Sequence, residues 1–180
     1  MDPSASLRTG AARAVCVLFA DVCGSSALYE ALGDAEARRA VERCLNRIER
    51  AAVAHRGTLI KTIGDEALLV FDTAEEAFLA ACEMQQKVED LPPVSGHKLA
   101  IHIGFHFGDV VEDRGDVFGS TVNTAARLVA LAKAGQIITD EATVRQLSLP
   151  CLASVRQLDS TTVKGRTAVL QLWEGLWRGN

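Results

Sequence analysis

The chain has 180 residues, of which 48% are hydrophobic and 23% charged, and its net charge is −4. This composition is typical of one globular domain with a sizeable core. The negative net charge argues against attraction of nucleic acid or an anionic membrane by the overall field of the protein. The longest apolar run, residues 14–20, is too short to span a bilayer, so no membrane contact is expected within the chain.

The cysteines and the N-terminus predict where the chain works and how it is divided. The five cysteines are an odd number without a CxxC pair, which favours a reducing, cytoplasmic compartment. Residues 1–12 lack a signal-peptide core and are expected to form a flexible N-terminal segment. One domain is then predicted over residues 13–178.

In chain order, the first predicted element is a strand over residues 14–20. Its unbroken apolar run indicates burial on both faces, with Asp21 at its end and a break at residues 24–26. Apolar residues recur every three or four positions over residues 34–56, which predicts an amphipathic helix with Gly57 as its stop.

A hairpin and a second helix are predicted next. Two short β-like runs, residues 58–63 and 66–72, are joined by Gly64-Asp65, and glycine there accepts a positive φ. The Thr73–Glu76 pair forms a capping box that begins a helix, and Pro92-Pro93 ends it.

The second half of the chain predicts further strands between helices. Bulky and small residues alternate over residues 99–107, which is typical of a strand with one buried face. The remaining predicted elements are a turn over 108–119, a helix over 120–134, a strand over 136–139, a short helix over 141–147, and a strand pair over 155–158 and 168–173. A hairpin among helices indicates an α+β fold, in which helices pack on a mainly antiparallel sheet.

Two aspartates are candidate metal ligands. Asp21 follows a buried strand and Asp65 lies at a hairpin tip, and carboxylate oxygens are ligands that Mg²⁺ prefers. Each also has an ordinary interpretation, Asp21 as a helix N-cap and Asp65 as a turn former. If the hairpin lies beside the first strand, both carboxylates converge on the same cations. The small residues 23–26 would then point backbone N–H groups at phosphate oxygens.

Five other polar residues indicate a function only when they are considered together. Lys61 interrupts an apolar strand, which an edge position also explains. Asn123 and Arg127 are four positions apart on a predicted helix and project from one face, towards either solvent or a charged transition state. Asp116 and Lys164 lie in predicted loops, where surface charge is the ordinary interpretation.

Two histidines also attract notice. His102 and His106 have HxxxH spacing, but they lie on a predicted strand. Neither a third ligand nor the glutamate of an HExxH motif is near, which argues against a zinc site.

Four segments together resemble class III adenylyl and guanylyl cyclases. They are FADVCGS at residues 19–25, KTIGD at 61–65, GDVFGSTVNTAAR at 115–127, and Lys164-Gly165. The resemblance covers about residues 13–174, and the order and spacing of the four segments make it specific. It implies a catalytic domain with the ferredoxin-like core of that family.

The resemblance implies how phosphate and metal are bound. Asp21 and Asp65 would hold two Mg²⁺ or Mn²⁺ ions. The family binds the β- and γ-phosphates through backbone amides, which here belong to Cys23, Gly24, Ser25 and Ser26. Relatives often have larger residues at the positions of Cys23, Ser25 and Ser26. Phosphate binding is still expected, because backbone groups carry it.

The resemblance also implies roles for the remaining candidates. Lys61 and Asp116 match the adenine form of the family's purine-selecting pair, whereas guanylyl relatives usually have Glu and a small polar residue. Asn123 would orient the ribose, and Arg127 would stabilise charge at the transferred phosphorus. Lys164 would neutralise the terminal phosphates.

The implied activity is conversion of ATP to 3′,5′-cyclic AMP and pyrophosphate. In this family the metal aspartates come from one subunit and the other residues from its partner, so a homodimer with two equivalent sites is expected. A regulatory domain or protein would lie outside this chain. Two alternatives stay open: a cyclase acting on GTP or a pyrimidine nucleotide, and a weakly catalytic nucleotide-binding regulatory module.

Overall fold

The computed structural model describes residues 11–158, 161–162 and 169–178. The strands are β1 (Ala11–Cys23), β2 (Thr58–Ile63), β3 (Glu66–Phe71), β4 (Ala100–Asp113), β5 (Asp116–Phe118), β6 (Ile137–Asp140), β7 (Val155–Gln157), β8 (Thr161–Thr162), β9 (Val169–Leu170) and β10 (Leu172–Gly175). The helices are α1 (Ser25–Leu32), α2 (Asp34–Ala54), α3 (Ala74–Glu89), α4 (Ser120–Leu131), α5 (Glu141–Val144) and α6 (Leu149–Leu152).

Within those residues, eight strands form one sheet. The order is β2-β3-β1-β4-β6-β10-β7, and β5 pairs with β4. Among the strand pairs that the structure describes in this sheet, only β4–β6 is parallel. The predicted α+β fold with a mainly antiparallel sheet is therefore confirmed. None of the described helices is long and apolar enough to cross a bilayer.

Successive residues of β1 point to two different layers. Cys16, Leu18 and Ala20 join a large core cluster to which α2 and α3 contribute. Val15, Val17 and Phe19 join a smaller cluster that includes residues of α4. All six are almost fully buried, so the predicted burial of this strand on both faces is confirmed.

Close packing of α4 on β4 depends on one glycine. A Cβ atom on Gly104 would lie 2.2 Å from the backbone nitrogen of Val129 and 2.6 Å from the carbonyl carbon of Leu128. Backbone atoms of a helix cannot yield as a flexible side chain does. The absence of a side chain at this position therefore sets how near α4 lies to the sheet.

Several predicted boundaries in the first half of the chain need correction. The first strand begins at Ala11 and ends at Cys23, so it includes the last residues of the predicted flexible segment and passes beyond Asp21. Helix α1 was not predicted, because its only buried residue is Leu28 and one such residue gives no apolar repeat. Helix α2 ends at Ala54, before a left-handed Arg56 with a φ of 64°.

Gly57 has a different role from the one predicted. A Cβ atom there would lie 2.3 Å from the Phe71 ring, so this glycine permits packing and does not stop the helix by a positive φ.

The second half also differs in detail. Strand β4 continues to Asp113, and the chain turns only at Arg114-Gly115, where both residues have positive φ. Helix α4 ends at Leu131, not at residue 134, and α5 covers only the first part of the predicted residues 141–147. The strand predicted over 168–173 is divided between β9 and β10, and β10 pairs with β7.

We predict that Gly104→Ala destabilises the fold by about 3 kcal/mol, the upper end of the usual range for overpacking, because the methyl group meets helix backbone. The free energy of unfolding in urea measures this effect.

Gly96→Asn serves as the control. Nothing lies within 4 Å of a Cβ atom at Gly96, whose φ is +80°, and asparagine tolerates that conformation. Equal stability losses in the two variants would contradict the packing explanation.

Candidate functional site

Asp21 lies in a row of polar residues that crosses three strands. Its Cα is paired with Glu66 of β3 on one side and with His102 of β4 on the other. Directly opposed residues in antiparallel strands point to the same face. This face is the one that α4 covers, because Phe19 and Val17, two and four residues earlier on β1, belong to the core cluster that includes residues of α4.

His102 connects Asp21 to α4. Its Nε2 lies 2.9 Å from Oδ2 of Asp21, and its Nδ1 lies 2.7 Å from the carbonyl oxygen of Val129. A carbonyl and an ionised carboxylate only accept hydrogen bonds, so both ring nitrogens donate. The neighbouring Cys23, then the Val129 carbonyl and the Asp21 charge, raise the pKa of His102 to about 9 against the opposing effect of burial.

Asp65 occupies the tip of the β2–β3 hairpin, where Ile63 pairs with Glu66 across the two-residue loop. The Ser25 hydroxyl donates to Oδ2 of Asp65 at 2.7 Å, and the Val22 N–H donates to the Asp65 carbonyl at 3.1 Å. The predicted hairpin is confirmed. These two bonds place the hairpin tip beside Val22, the residue after Asp21, and beside Ser25, the first residue of α1.

The chemistry of these residues fits a divalent cation. Burial, and then the nearby Asp21 charge, raise the pKa of Glu66, and a bound cation would offset the second of these causes. Oxygen atoms are the ligands that Mg²⁺ and Mn²⁺ favour. The described part of the chain contains no group of three or more His, Cys, Asp or Glu residues arranged around one ion. Phosphate and water oxygens are therefore needed to complete the coordination of any metal at Asp21 and Asp65.

The proposed phosphate-binding segment lies at the junction of β1 and α1. Gly24 has a φ of 90° and precedes the first residue of α1, which has no side-chain cap among the described residues. The first backbone N–H groups of a helix have no partner within the helix. The amides following Cys23, including those of Ser25 and Ser26, thus lie at a helix N-terminus beside Asp65.

Lys61 and Asp116 form an ion pair between the two hairpins. The Lys61 Nζ lies 2.7 Å from Oδ2 of Asp116, and the Val117 N–H donates to Oδ1 at 2.8 Å. The hydrogen bond from Lys61 is the main cause that lowers the pKa of Asp116. Each carboxylate oxygen of Asp116 therefore has one fixed donor, and the residue begins β5 instead of lying in the predicted loop.

Asn123 and Arg127 lie one turn apart on α4. Asn123 is exposed and Arg127 is half-buried. Within the described residues, neither side chain makes a hydrogen bond or ion pair. Both groups are thus available to a ligand or a second chain. Lys164 lies outside the described residues.

The predicted metal ligand Asp65 and the predicted base-selecting residue Asp116 line different clefts of one chain. Asp65 lines a cleft of about 490 Å³ together with Tyr29 and Arg38. Asp116 lines a separate cleft of about 360 Å³. The two aspartates thus lie in separate clefts of the described chain.

Sequence reasoning missed the roles of Glu66 and His102. Glu66 could have been found, because it follows Asp65 and alternates with the buried Leu68 on its strand. His102 could not, because its contact with Asp21 depends on the pairing of two strands that are 81 residues apart.

Known proteins with similar sequences indicate the family of this chain. A family model described as the adenylate and guanylate cyclase catalytic domain matches residues 8–173. The chain is 33% identical over 138 residues to an adenylate cyclase of Streptomyces coelicolor, an alignment covering 75% of this chain and 34% of that protein. It is 34% identical over 134 residues to an adenylate cyclase of Streptomyces griseus, covering 73% and 32%. The chain thus spans about a third of the length of these relatives.

A solved structure gives the same result over nearly the full chain. The adenylate/guanylate cyclase/hydrolase from Silicibacter pomeroyi is 31% identical, with a TM-score of 0.74. The match covers 93% of this chain and 98% of that one.

We predict that Lys61→Met raises the pKa of Asp116 towards its ordinary value, because the main group that lowers it is removed. Depressed folded-state pKa values stabilise a protein above the unfolded pKa, and that stabilisation is lost as the pH falls through the folded value. The variant should therefore lose less stability on acidification. Carboxyl carbon NMR measures the pKa directly.

Lys87→Met is the matched control for this titration. Lys87 lies on α3, which packs on the other face of the sheet, and its removal should leave the Asp116 pKa unchanged. An unaltered Asp116 pKa in Lys61→Met would show that the ion pair does not form in solution.

Proposed function

The chain belongs to the family of adenylate and guanylate cyclase catalytic domains, and we propose that it converts ATP to 3′,5′-cyclic AMP and pyrophosphate. The observation that carries the choice of base is the Lys61–Asp116 pair. Adenine presents an acceptor at N1 and a donor at its exocyclic amine, which a lysine and an aspartate respectively complement. Guanine presents a donor at N1 and an acceptor at O6, so it would meet groups of the wrong kind.

The mutual contact of Lys61 and Asp116 supports this role. Each holds the other in place before a base arrives, so less side-chain entropy is lost on binding. The Val117 N–H fixes the second oxygen of Asp116 as well. The pair is therefore already oriented.

Catalysis requires charge stabilisation and positioning more than covalent work by the protein. Two divalent cations, held by Asp21 and Asp65, would lower the pKa of the attacking ribose 3′ hydroxyl and neutralise the leaving pyrophosphate. Backbone amides at residues 23–26 would bind the β- and γ-phosphates at the start of α1.

The remaining proposed contacts come from α4 and the C-terminal part of the chain. Asn123 would orient the ribose, and Arg127 would donate to oxygens of the α-phosphate, where charge develops. Loss of one such donor typically lowers the rate by about 10²–10³-fold. Lys164 is proposed to neutralise the terminal phosphates.

We further propose that two copies complete each site. In support, Asp65 and Asp116 face separate clefts within one chain. Large apolar side chains are also exposed near both hairpins, namely Ile63 at 53%, Val111 at 43% and Phe118 at 49%. A homodimer with twofold symmetry would bring the aspartates of one chain to Asn123 and Arg127 of the other.

Base selectivity provides the first functional test. With Mn²⁺ and equal amounts of ATP, GTP, CTP and UTP, the purified protein should yield mainly cyclic AMP. The double variant Lys61→Glu with Asp116→Cys should lose that preference, because the groups that complement adenine are removed. Product identification by mass spectrometry measures both outcomes.

The double variant Arg156→Ala with Glu174→Ala is the control, since it removes an ion pair between β7 and β10, two other strands of the same sheet. An unchanged ATP preference in the Lys61/Asp116 variant would refute the selector assignment. A different product from the unmodified protein would favour a cyclase for another nucleotide. ATP binding without turnover would favour a regulatory module.

Complementation tests the shared site. Asp65→Ala and Arg127→Ala should each be nearly inactive, but their mixed heterodimer retains one unaltered site. Random reassociation of equal amounts should restore about a quarter of the normal activity, since half the dimers are mixed and each has one working site. Cyclic AMP formation after mixing measures the recovery.

A mixture of Asp21→Ala and Asp65→Ala is the matched control. Both variants alter the same half of the site, so no recovery is expected. Failure of Asp65→Ala and Arg127→Ala to complement, although both bind each other, would show that each site lies within one chain.

A further inference from the structure

The contacts of His102 distinguish it from every other described residue near the two aspartates. Its imidazole lies between the carboxylate of Asp21 and the backbone carbonyl of Val129, with a short contact to each. The side chain is only 16% exposed. A ring fixed at both nitrogens by two different elements has little rotational freedom.

This arrangement determines how Asp21 can be oriented. His102 donates to Oδ2 of Asp21, so the carboxylate is held through one oxygen. Oδ1 makes no hydrogen bond within the described residues. A cation can therefore bind Oδ1 while the hydrogen bond to His102 persists.

The second contact anchors the imidazole to a rigid element. The Val129 carbonyl belongs to α4, whose backbone lies directly against β4 at Gly104. Because the same helix carries Asn123 and Arg127, His102 joins the aspartate on β1 to the helix that bears these two polar candidates.

From this geometry we propose that His102 is a positioning residue, which orients the Asp21 carboxylate for a divalent cation through a hydrogen bond anchored on α4. The proposal rests on the proposed function, since it takes Asp21 as a metal ligand. Groups that hydrogen-bond to metal ligands commonly affect metal affinity by about 10–100-fold.

Two substitutions test the hydrogen bonds of the two ring nitrogens separately. His102→Asn keeps a donor near the Nδ1 position, towards Val129, but is too short to reach Asp21. His102→Gln places a donor near the Nε2 position and can still reach Asp21. We expect His102→Asn to weaken Mn²⁺ binding by about 10-fold, and His102→Gln to weaken it less.

Mn²⁺ binding is measured by electron paramagnetic resonance, with a non-cyclising ATP analogue present. His106→Gln is the control. His106 lies on the same strand as His102, and the substitution removes its contact of 2.7 Å to Asp140 of β6. Thermal unfolding without metal reports the loss of stability in each variant. The control should lower the melting temperature without changing Mn²⁺ affinity.

The outcomes separate this role from a purely structural one. Normal Mn²⁺ affinity in His102→Asn, with a lowered melting temperature, would overturn the proposal and leave the metal site standing. Normal Mn²⁺ affinity in Asp21→Ala would overturn both the metal assignment and the positioning role.

A measurement on the unaltered protein covers the case in which His102→Asn fails to fold. Titration with Mg²⁺ and the ATP analogue should shift the Nε2 resonance of His102 in parallel with metal binding, and leave that of His106 in place. A His102 resonance that does not move at saturating Mg²⁺ would overturn the proposal.

Discussion

Strand β1 lies between β3 and β4 and is antiparallel to both. This pairing has two effects at once. It buries the apolar residues of β1 in the middle of the molecule, and it aligns Glu66, Asp21 and His102 across three strands. A shift of one residue in either pairing would reverse which side chains face α4. The core that stabilises the fold is thus the same structure that sets the position of the candidate metal ligands.

Strand β1 therefore carries both buried apolar residues and an acidic candidate metal ligand. Val17 and Phe19 pack under α4, whereas Asp21, the next residue on that face, contacts His102 at the edge of the packed layer. The Asp21 side chain is 33% exposed, so a ligand can reach it, whereas Val17 and Phe19 are buried. Such an arrangement favours preorganised charge, which stabilises a charged transition state without further rearrangement of the protein.

Much of this molecule could be predicted from local patterns in the sequence. The buried first strand, the hairpin around Asp65 and the capped helix α3 all have signals within a few residues of one another. Helix α1 gave no such signal because it is short and buries one residue. The predicted turn over residues 108–119 contains the turn at Arg114-Gly115 but begins too early, since a strand that is exposed near its end loses its apolar alternation.

For the candidate site, the sequence predicted which residues belong to it but not how they contact one another. The family resemblance identified the candidate residues, which are far apart in the sequence and have ordinary interpretations one by one. They are Asp21, Asp65, Lys61 and Asp116. Their contacts could not be deduced from the sequence, because each depends on strand register over long separations. Asp116 meets Lys61 across 55 residues of chain, and Asp21 meets His102 across 81.

The ion pair between Lys61 and Asp116 also constrains how such a protein can diverge. It joins β2 to β5, so the two residues stabilise the arrangement of the hairpins, and Asp116 also lines a cleft. Replacing Lys61 alone by an acid would set two like charges against each other, and replacing Asp116 alone would leave the lysine without its counter-charge. With the proposed role of the pair, a lineage that changed its base preference would thus pass through a poorly matched intermediate. The two positions are expected to change together, as a coupled pair, and seldom one at a time.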